Sequence, residues 1–239
     1  MENANIPDIV TRGAEELGIS LPPGAADAFR QYSLFLEEQG LKMNLTAIKD
    51  DADVKRLHFL DSLALLGVTE FTGETVIDIG SGAGFPGVPL KIAEPSMTLT
   101  LLDATGKRVA FLEALCEKLG INASCIHARA EEAAHKLEMR ERYGIAVSRA
   151  VARLDVLCEL CLPFVRVGGV FIAMKGIDAA EEVKQSQSAI KILGGKLEKT
   201  IDYTIPGTDI THRAIVIAKE HKTQLDYPRR FAKIKKSPL

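Results

Sequence analysis

A run of alternating glycines directly after a short apolar segment limits the folds open to this chain. Residues 75–79 have the composition of a buried strand, and Gly80, Gly82 and Gly84 follow at every second position. Glycine lets the backbone turn sharply and lets a ligand press against it. Pro86 stands where a helix can begin, since its fixed φ and missing N–H do no harm at a first helical position. This order of strand, glycine turn and helix is typical of ligand-binding, doubly wound α/β folds.

After residue 73 the sequence alternates between strand and helix patterns. Strands are predicted at residues 75–79, 98–102, 124–127, 145–148 and 170–174, helices at about 107–119, 154–165 and 178–193, and the arms of a hairpin at 201–205 and 214–219. Such alternation implies parallel strands joined by right-handed crossovers. We therefore predict a Rossmann-like α/β fold, with a doubly wound, mostly parallel sheet closed by an antiparallel hairpin.

Before residue 70 the apolar residues recur at three- and four-residue spacing, which predicts helices and no strand. Gly40 is predicted to end one helix, Asp50 or Asp51 to cap the next, and Gly67 to end that one. The predicted organisation is an N-terminal helical cap at residues 1–70 and a main domain at residues 71–239 with a basic C-terminal tail.

The charge distribution excludes a wholly basic nucleic-acid binder. The 239 residues contain 30 Lys and Arg against 32 Asp and Glu, a formal net charge of -2. Residues 219–239, however, hold seven bases against two acids, which favours a localised contact with a polyanion. No segment has the pattern of a secretion signal or approaches the ~18 apolar residues of a membrane span, so we expect a cytoplasmic protein without a membrane partner.

Two cysteines spaced as in a metal or redox motif, Cys158 and Cys161, fall inside an apolar helical segment. No second pair completes four ligands, so both thiols are interpreted as small hydrophobic core groups and no metal site is predicted.

The glycine turn can be aligned with two ligand motifs. Residues 82–87 match G-x-G-x-x-G, which alone is weak evidence for a dinucleotide. The other register places Asp78 at the strand end before Gly80, and a carboxylate there suits a cofactor with an amino group and a cationic centre. Asp103, 23 residues past Gly80, can take ribose hydroxyls in either case. We favour S-adenosylmethionine; a nicotinamide-dependent oxidoreductase and a non-catalytic RNA-binding protein on the same fold are the alternatives.

A set of short motifs runs in order from residue 44 to the C-terminus. They are Asn44-Leu45-Thr46-Ala47-Ile48, His58 with Asp61-Ser62, Gly80-x-Gly82-x-Gly84-Phe85-Pro86-Gly87, Leu102-Asp103, Lys107-Arg108-x-x-Phe111-Leu112, Arg129-Ala130-Glu131-Glu132, Ser148-Arg149-Ala150, Lys175-Gly176, His212-Arg213 and Tyr227-Pro228-Arg229-Arg230. Together they resemble one family, the bacterial 16S ribosomal RNA guanine-N7 methyltransferases once named for glucose-inhibited division. The chain departs from the common family pattern at Thr105-Gly106 and in its short tail.

The resemblance implies an enzyme that moves a methyl group from S-adenosylmethionine to N7 of a guanine in 16S ribosomal RNA or the small subunit. We also expect a monomer. The resemblance further implies that Gly80 and Phe85 line the cofactor, that Asp103 takes its ribose, and that Arg149 reaches it from the fourth strand. It also places Ala130 and Glu131 at the adenine. The full predicted cofactor set is Asp78, Gly80, Gly82, Gly84, Phe85, Asp103, Ala130, Glu131 and Arg149. The predicted substrate contacts are Asn44, His58, Asp61, Arg129, Lys175, Arg213, Arg229 and Arg230.

The chemistry fits a site without a general base, because guanine N7 carries a lone pair and no proton. Catalysis then rests on aligning nitrogen, methyl carbon and sulfur. A cation near guanine O6 could fix the base edge, as Arg and Lys commonly do with guanine. Arg129, Arg149 and Lys175 are candidates because each lies at or just beyond the end of a predicted strand, and Arg129 is the candidate catalytic residue.

Overall fold

Among the residues described by the computed structural model (8–43, 48, 50–149 and 152–239), seven strands form one sheet in the order β3-β2-β1-β4-β5-β7-β6. The strands are β1 (Thr75–Ile79), β2 (Thr98–Asp103), β3 (Ala123–His127), β4 (Tyr143–Arg149), β5 (Val165–Gly176), β6 (Gly195–Thr204) and β7 (Thr211–Lys219). The first five pair in parallel, whereas β7 runs antiparallel to β5 and to β6. This confirms the predicted doubly wound sheet closed by an antiparallel hairpin.

The strand order reverses between β1 and β4. The chain moves outward from β1 to β3 and then returns to place β4 on the other side of β1. At such a reversal the crossover helices leave the sheet in opposite directions, which opens a crevice beyond the carboxyl ends of the strands. Ligand-binding residues are therefore expected after β1 and after β4.

Helices cover both faces of the sheet. They are α1 (Ile9–Glu16), α2 (Ala25–Met43), α3 (Asp51–Val54), α4 (Asp61–Leu63), α5 (Gly87–Ala93), α6 (Gly106–Leu119), α7 (Ala130–Ala133), α8 (Leu154–Cys161), α9 (Ala180–Gln185), α10 (Gln187–Ile192) and α11 (Phe231–Lys236). One apolar cluster joins the helices before residue 70 to α5, α6 and one face of the sheet, and a second joins α7 to α11 to the other face. The division of the chain at residue 70 stays a prediction.

The N-terminal region is helical, as the spacing predicts, but its boundaries differ in part. Asp50 caps α3 by accepting a 3.0 Å hydrogen bond from the Asp53 N–H, and the helical run ends at Gly67. Between α3 and α4 it passes through a π-helical stretch, Lys55–Leu60. The predicted stop at Gly40 is wrong, because α2 continues to Met43. A glycine inside a helix costs only about 1 kcal/mol, which packing of α2 against α6 can offset.

Several boundaries later in the chain also differ from prediction. The helix predicted at residues 154–165 ends at Cys161 and a 3-10 turn, and β5 begins five residues before the predicted strand. The extension passes through Gly169, where an added Cβ would lie 2.4 Å from the Gly144 carbonyl oxygen, so two strands approach closely only because glycine is there. The helix predicted at 178–193 is interrupted at Ser186 between α9 and α10.

No helix in the described part of the chain is long and apolar enough to cross a membrane. Cys158 and Cys161 are fully buried in α8, and the described residues contain no group of three or more His, Cys, Asp or Glu side chains that could hold a metal ion.

Candidate functional site

The first strand delivers a buried carboxylate to the carboxyl edge of the sheet. Asp78 is 0% exposed, and its Oδ2 accepts a 2.9 Å hydrogen bond from the Gly87 N–H at the start of α5. Its Oδ1 is buried and has no hydrogen-bond partner. Burial raises the pKa of Asp78 to about 7. A buried oxygen without a partner costs free energy, so this position is suited to accept a hydrogen bond from a ligand.

Close packing explains two glycines of the turn. A Cβ at Gly84, whose φ is +102°, would lie 2.5 Å from the Tyr32 Oη. A Cβ at Gly87 would lie 2.8 Å from Asp78 Oδ2. Tyr32 comes from α2 and donates a 2.5 Å hydrogen bond to the Ala83 carbonyl oxygen. A helix from the N-terminal region thus presses against the glycine turn from outside and fixes its shape.

The second strand ends in another buried carboxylate. Asp103 is 3% exposed; its Oδ2 accepts from the Gly82 N–H at 3.0 Å and its Oδ1 from the Thr105 N–H at 2.8 Å. The Arg108 guanidinium lies 3.6 Å from Oδ2. Each carboxylate oxygen can accept more than one hydrogen bond, so these contacts leave capacity for hydroxyl groups while they hold the carboxylate against the glycine turn.

Arg149, at the end of β4, reaches across the crevice to the N-terminal helical region. Its Nη1 donates to Asp61 Oδ2 at 3.1 Å and to the Leu57 carbonyl oxygen at 3.3 Å, and its Nη2 lies within hydrogen-bond distance of His58 Nδ1, at 3.2 Å. The guanidinium carbon lies 4.8 Å from the centre of the Phe85 ring. These hydrogen bonds use three of the five N–H donors of an arginine, so two remain for a ligand.

His58 stacks on Phe85, with ring centres 4.5 Å apart. Burial, and then the neighbouring charge of Arg149, lowers the pKa of His58 to about 4. The ring is therefore neutral at pH 7, and its Nδ1 lies near both the Arg149 guanidinium and the Leu57 carbonyl oxygen, the latter at 3.1 Å.

Asp61 lies deeper than its predicted role requires. Its side chain is 1% exposed and it bonds three groups: Arg149, the Tyr203 hydroxyl at 2.9 Å and His212 Nδ1 at 2.7 Å. The structure thus shows the carboxylate buried among other side chains of the site, and its predicted substrate contact stays a prediction.

The adenine-side residues lie after β3. Ala130 is the first residue of α7, Glu131 follows it, and Arg129 caps the helix and is exposed. Arg129 lines a cleft of about 580 Å³ together with residues of the C-terminal segment, among them Arg230 and Phe231. Two predicted RNA contacts that lie 101 positions apart in the sequence thus line the same cleft.

The other predicted substrate contacts are engaged in ion pairs. Lys175 Nζ lies 2.8 Å from Glu182, Arg213 bonds Asp202 through two nitrogens, and Arg229 bonds Glu159 in the same way. The Glu159 side chain is fully buried, so Arg229 anchors the C-terminal segment to α8. Arg230 is exposed, and the predicted RNA contacts of both arginines stay predictions. Asn44 lies outside the described residues.

The comparison with protein families decides between the possible ligands of this crevice. The family described as GidB, rRNA small subunit methyltransferase G, matches residues 25–210. This chain belongs to that family. It is 45% identical over 232 residues to the ribosomal RNA small subunit methyltransferase G of Acetivibrio thermocellus, covering 97% of this chain and 96% of that protein. It is 46% identical over 235 residues to the enzyme of the same name from Alkaliphilus oremlandii, covering 97% and 98%.

Solved structures support the fold independently. M. jannaschii TYW2 in complex with AdoMet superposes with a TM-score of 0.52 at 13% identity, over 66% of this chain and 73% of that one. The pyocyanin biosynthetic protein PhzM superposes with a TM-score of 0.56 at 16% identity, over 80% and 61%. Membership of the rRNA small subunit methyltransferase G family confirms the predicted enzyme class, an rRNA methyltransferase that uses S-adenosylmethionine, and leaves the oxidoreductase and binding-protein alternatives without support.

The site contains residues that the sequence did not single out as functional. Tyr32 is one of several apolar residues at helical spacing in α2, so no local pattern separates it from the core. Tyr203 and His212 lie on the closing hairpin, 142 and 151 positions after the carboxylate that they bond. His212 belongs to a motif that carried the resemblance, and that was the one available signal.

The residues present fit S-adenosylmethionine. The unpartnered oxygen of Asp78 suits an amino group, Asp103 holds further acceptor capacity, and Arg149 retains donors for a carboxylate. The three groups lie at the ends of β1, β2 and β4, which are adjacent in the sheet.

Proposed function

We propose that this chain transfers the methyl group of S-adenosylmethionine to N7 of a guanine in small-subunit ribosomal RNA, as a cytoplasmic monomer. The observation that carries the proposal is the buried Asp78 oxygen without a partner, at the head of a glycine turn in a chain of this family. A buried polar atom of this kind is rare in folded proteins and points to a ligand that completes its hydrogen bonding.

The geometry supports the following cofactor contacts, which are part of the proposal. Asp78 Oδ1 accepts from an amino group, the Asp103 carboxylate accepts from ribose hydroxyls, and Arg149 donates to a carboxylate. The glycines of the turn and Phe85 line the space between them. Ala130 and Glu131, at the start of α7, contact the adenine.

The protein's residues act mainly by positioning. S-adenosylmethionine supplies an electrophilic methyl group on a positively charged sulfur, and guanine N7 attacks without losing a proton. Arg129 is exposed beside the start of α7, and we assign it to the O6 edge of the guanine, where a guanidinium fixes the base and withdraws charge. His58, Lys175 and Arg213 contact neighbouring parts of the RNA, as does Asn44.

The C-terminal segment contributes the remaining RNA contacts. Arg230, Lys233, Lys235 and Lys236 are exposed. None of the ion pairs found in the described part of the chain involves them. Cations without protein partners are available to phosphates, and displacement of counterions from RNA favours their binding.

The direct test incubates the protein with radiolabelled S-adenosylmethionine and small subunits, or naked 16S ribosomal RNA, from a strain that lacks the activity. The label is then mapped to a base. We expect label at N7 of a single guanine. Label on another base or another atom would contradict the assigned specificity, and absence of label together with tight adenosylhomocysteine binding would contradict the assigned substrate.

A further inference from the structure

Asp61 joins three parts of the fold that are far apart in the sequence. It lies in α4, at the end of the π-helical stretch, and bonds Arg149 of β4, Tyr203 of β6 and His212 of β7. Both carboxylate oxygens are used, and the side chain is 1% exposed. The carboxylate thus connects the N-terminal helices, the parallel sheet and the closing hairpin at one point.

The charges around Asp61 are balanced by its neighbours. Although burial acts to raise it, the hydrogen bond from His212 and the charge of Arg149 hold the pKa of Asp61 below its usual value. The same hydrogen bond raises the pKa of His212. Removing one member of such a buried pair leaves an uncompensated charge, which is strongly unfavourable.

The π-helical stretch contributes a second contact to Arg149. A π-helix interrupts the regular i−4 hydrogen bonding, and such interruptions are frequent at functional sites. Here the Leu57 carbonyl oxygen within that stretch accepts from Arg149 Nη1 at 3.3 Å. The Leu57 carbonyl oxygen and the Asp61 carboxylate thus bind both N–H groups of Nη1. The planar guanidinium is held in one orientation, 4.8 Å from the Phe85 ring centre.

We propose that Asp61 is a positioning residue that orients the Arg149 guanidinium for the cofactor and ties the β6–β7 hairpin to that orientation. The inference rests on the proposed function, since it assigns the oriented donors of Arg149 to S-adenosylmethionine. Asp61 itself does not touch the cofactor or the RNA. A carboxylate that only stabilised the fold would not need to bond the arginine that reaches across the crevice.

The test measures the dissociation constant of adenosylhomocysteine by calorimetry for a double-mutant cycle. Asp61→Asn is expected to weaken binding at least tenfold, and Arg149→Gln to weaken it similarly. The double variant should bind no more weakly than Arg149→Gln alone, because Asp61 acts through that arginine. The control Glu74→Gln, which breaks an ion pair with Arg166 at the opposite edge, should stay within twofold of the unchanged protein.

Two further measurements separate positioning from general stabilisation. In Asp61→Asn the pKa of His212, followed by NMR, should fall toward its ordinary value, while Glu74→Gln leaves it raised. In methyl-transfer assays at a temperature where both variants are folded, Asp61→Asn should lower kcat and leave the KM for RNA within twofold. The His212 pKa reports that the pairing is lost, and the lower kcat is the change that a variant which is merely less stable would not show.

Each outcome is decisive. Wild-type affinity for adenosylhomocysteine in Asp61→Asn, or fully additive effects in the cycle, would overturn the positioning role. If the unchanged protein binds no adenosylhomocysteine, the proposed function itself fails, and the NMR shift of His212 still reports on the pairing. Should Asp61→Asn not fold, Tyr203→Phe combined with His212→Gln removes both hairpin contacts of the carboxylate. Positioning then requires several-fold weaker binding, and unchanged binding contradicts it.

Discussion

Two fully buried ionisable side chains lie at opposite edges of the sheet and differ in their hydrogen-bond partners. Asp78 lies at the carboxyl edge and Lys219 at the amino edge, where β7 ends beside the start of β5. Burial moves the pKa of each toward neutrality, to about 7 for Asp78 and to about 8 for Lys219. Both groups therefore have an unfavourable charged form, and their partners make the difference.

The Lys219 ammonium is enclosed by oxygen atoms of the protein. It donates to the Leu162 carbonyl oxygen at 2.7 Å and to the Thr223 hydroxyl, and Glu141 Oε1 lies 3.6 Å away. Asp78 has one N–H on Oδ2 and nothing on Oδ1. The buried ammonium of Lys219 thus has hydrogen-bond partners within the protein, whereas the Asp78 carboxylate at the ligand-binding edge has one oxygen without a partner. Incomplete bonding, more than burial or a shifted pKa, therefore distinguishes the site.

The largest expected effect is on cofactor binding by Asp78→Asn. Hydrogen bonds to charged groups contribute about 1.5–3 kcal/mol, so adenosylhomocysteine should bind about ten- to a hundredfold more weakly at pH 8. The asparagine can still accept from Gly87 N–H, which keeps α5 in place. In the unchanged protein, affinity should rise with pH through about 7 as Asp78 ionises, and the variant should lose that rise. Calorimetry at pH 6 and pH 8 measures both.

The same substitution should stabilise the fold. Because the folded-state pKa of Asp78 is raised above its unfolded value of 3.8, the folded protein holds the proton more tightly, and stability is lost as pH rises through about 7. Removing the carboxylate should therefore raise the free energy of unfolding at pH 8 by at most about 4 kcal/mol, and at pH 5 by less. A variant that is less stable at both pH values would contradict the distinction between the two edges.

Much of the architecture could be predicted because strands and helices have different local periods. The bounds of β1 agree with the prediction at both ends, since a charged residue, Glu74, precedes the strand and a glycine, Gly80, follows it. The start of β5 could not be predicted, because the extension of this strand depends on the close approach of Gly169 to Gly144 in the neighbouring strand. Local sequence carries no record of that contact.

The residues of the candidate site that lie close together in the sequence could be predicted, and those that depend on contacts between distant segments could not. Asp78 and the glycine turn lie within ten residues, so their spacing alone points to a ligand. The bonds of Asp61 to Tyr203 and His212 depend on how the hairpin closes the sheet, and no pattern in either segment specifies them. The charged C-terminus gave an incomplete prediction for the same reason, since Arg229 is paired with a glutamate 70 positions earlier.

A smaller effect, on stability alone, is expected at the enclosed charge. Lys219→Met leaves the Leu162 carbonyl oxygen and Glu141 without their cation, and loss of one partner from a buried network costs about 1–3 kcal/mol. Urea denaturation at pH 7 should show that decrease, with adenosylhomocysteine affinity unchanged when measured well below the transition. Weaker cofactor binding would mean that the two edges are coupled, and the contrast between them would then fail.

The exposed arginine of the site is expected to affect the rate and not the cofactor. Arg129→Ala should lower the methyl-transfer rate about tenfold, the smaller part of the ~1–3 kcal/mol typical of a good arginine contact with guanine. Adenosylhomocysteine affinity should stay within twofold. The matched control is Arg142→Ala, since Arg142 is also exposed but precedes β4 at the amino edge. An unchanged rate would remove Arg129 from the site.

The smallest effect is expected from exposed cations, where the two edges can be compared directly. Replacing Arg230, Lys233, Lys235 and Lys236 by glutamine should weaken RNA binding a few-fold and lower its salt dependence. For single strands, the slope of log K against log salt falls by about 0.7 for each phosphate that the protein no longer neutralises. The control replaces four exposed lysines away from the carboxyl edge, Lys191, Lys196, Lys199 and Lys222, with the same change in net charge. Deleting the C-terminal segment would be a poorer test, because removing Arg229 leaves the buried Glu159 carboxylate without its cation. If the slope of log K against log salt is equal for the two quadruple variants, RNA binding depends on total charge alone. A lower slope only for the C-terminal variant would place the RNA at the carboxyl edge of the sheet, where Asp78 lies.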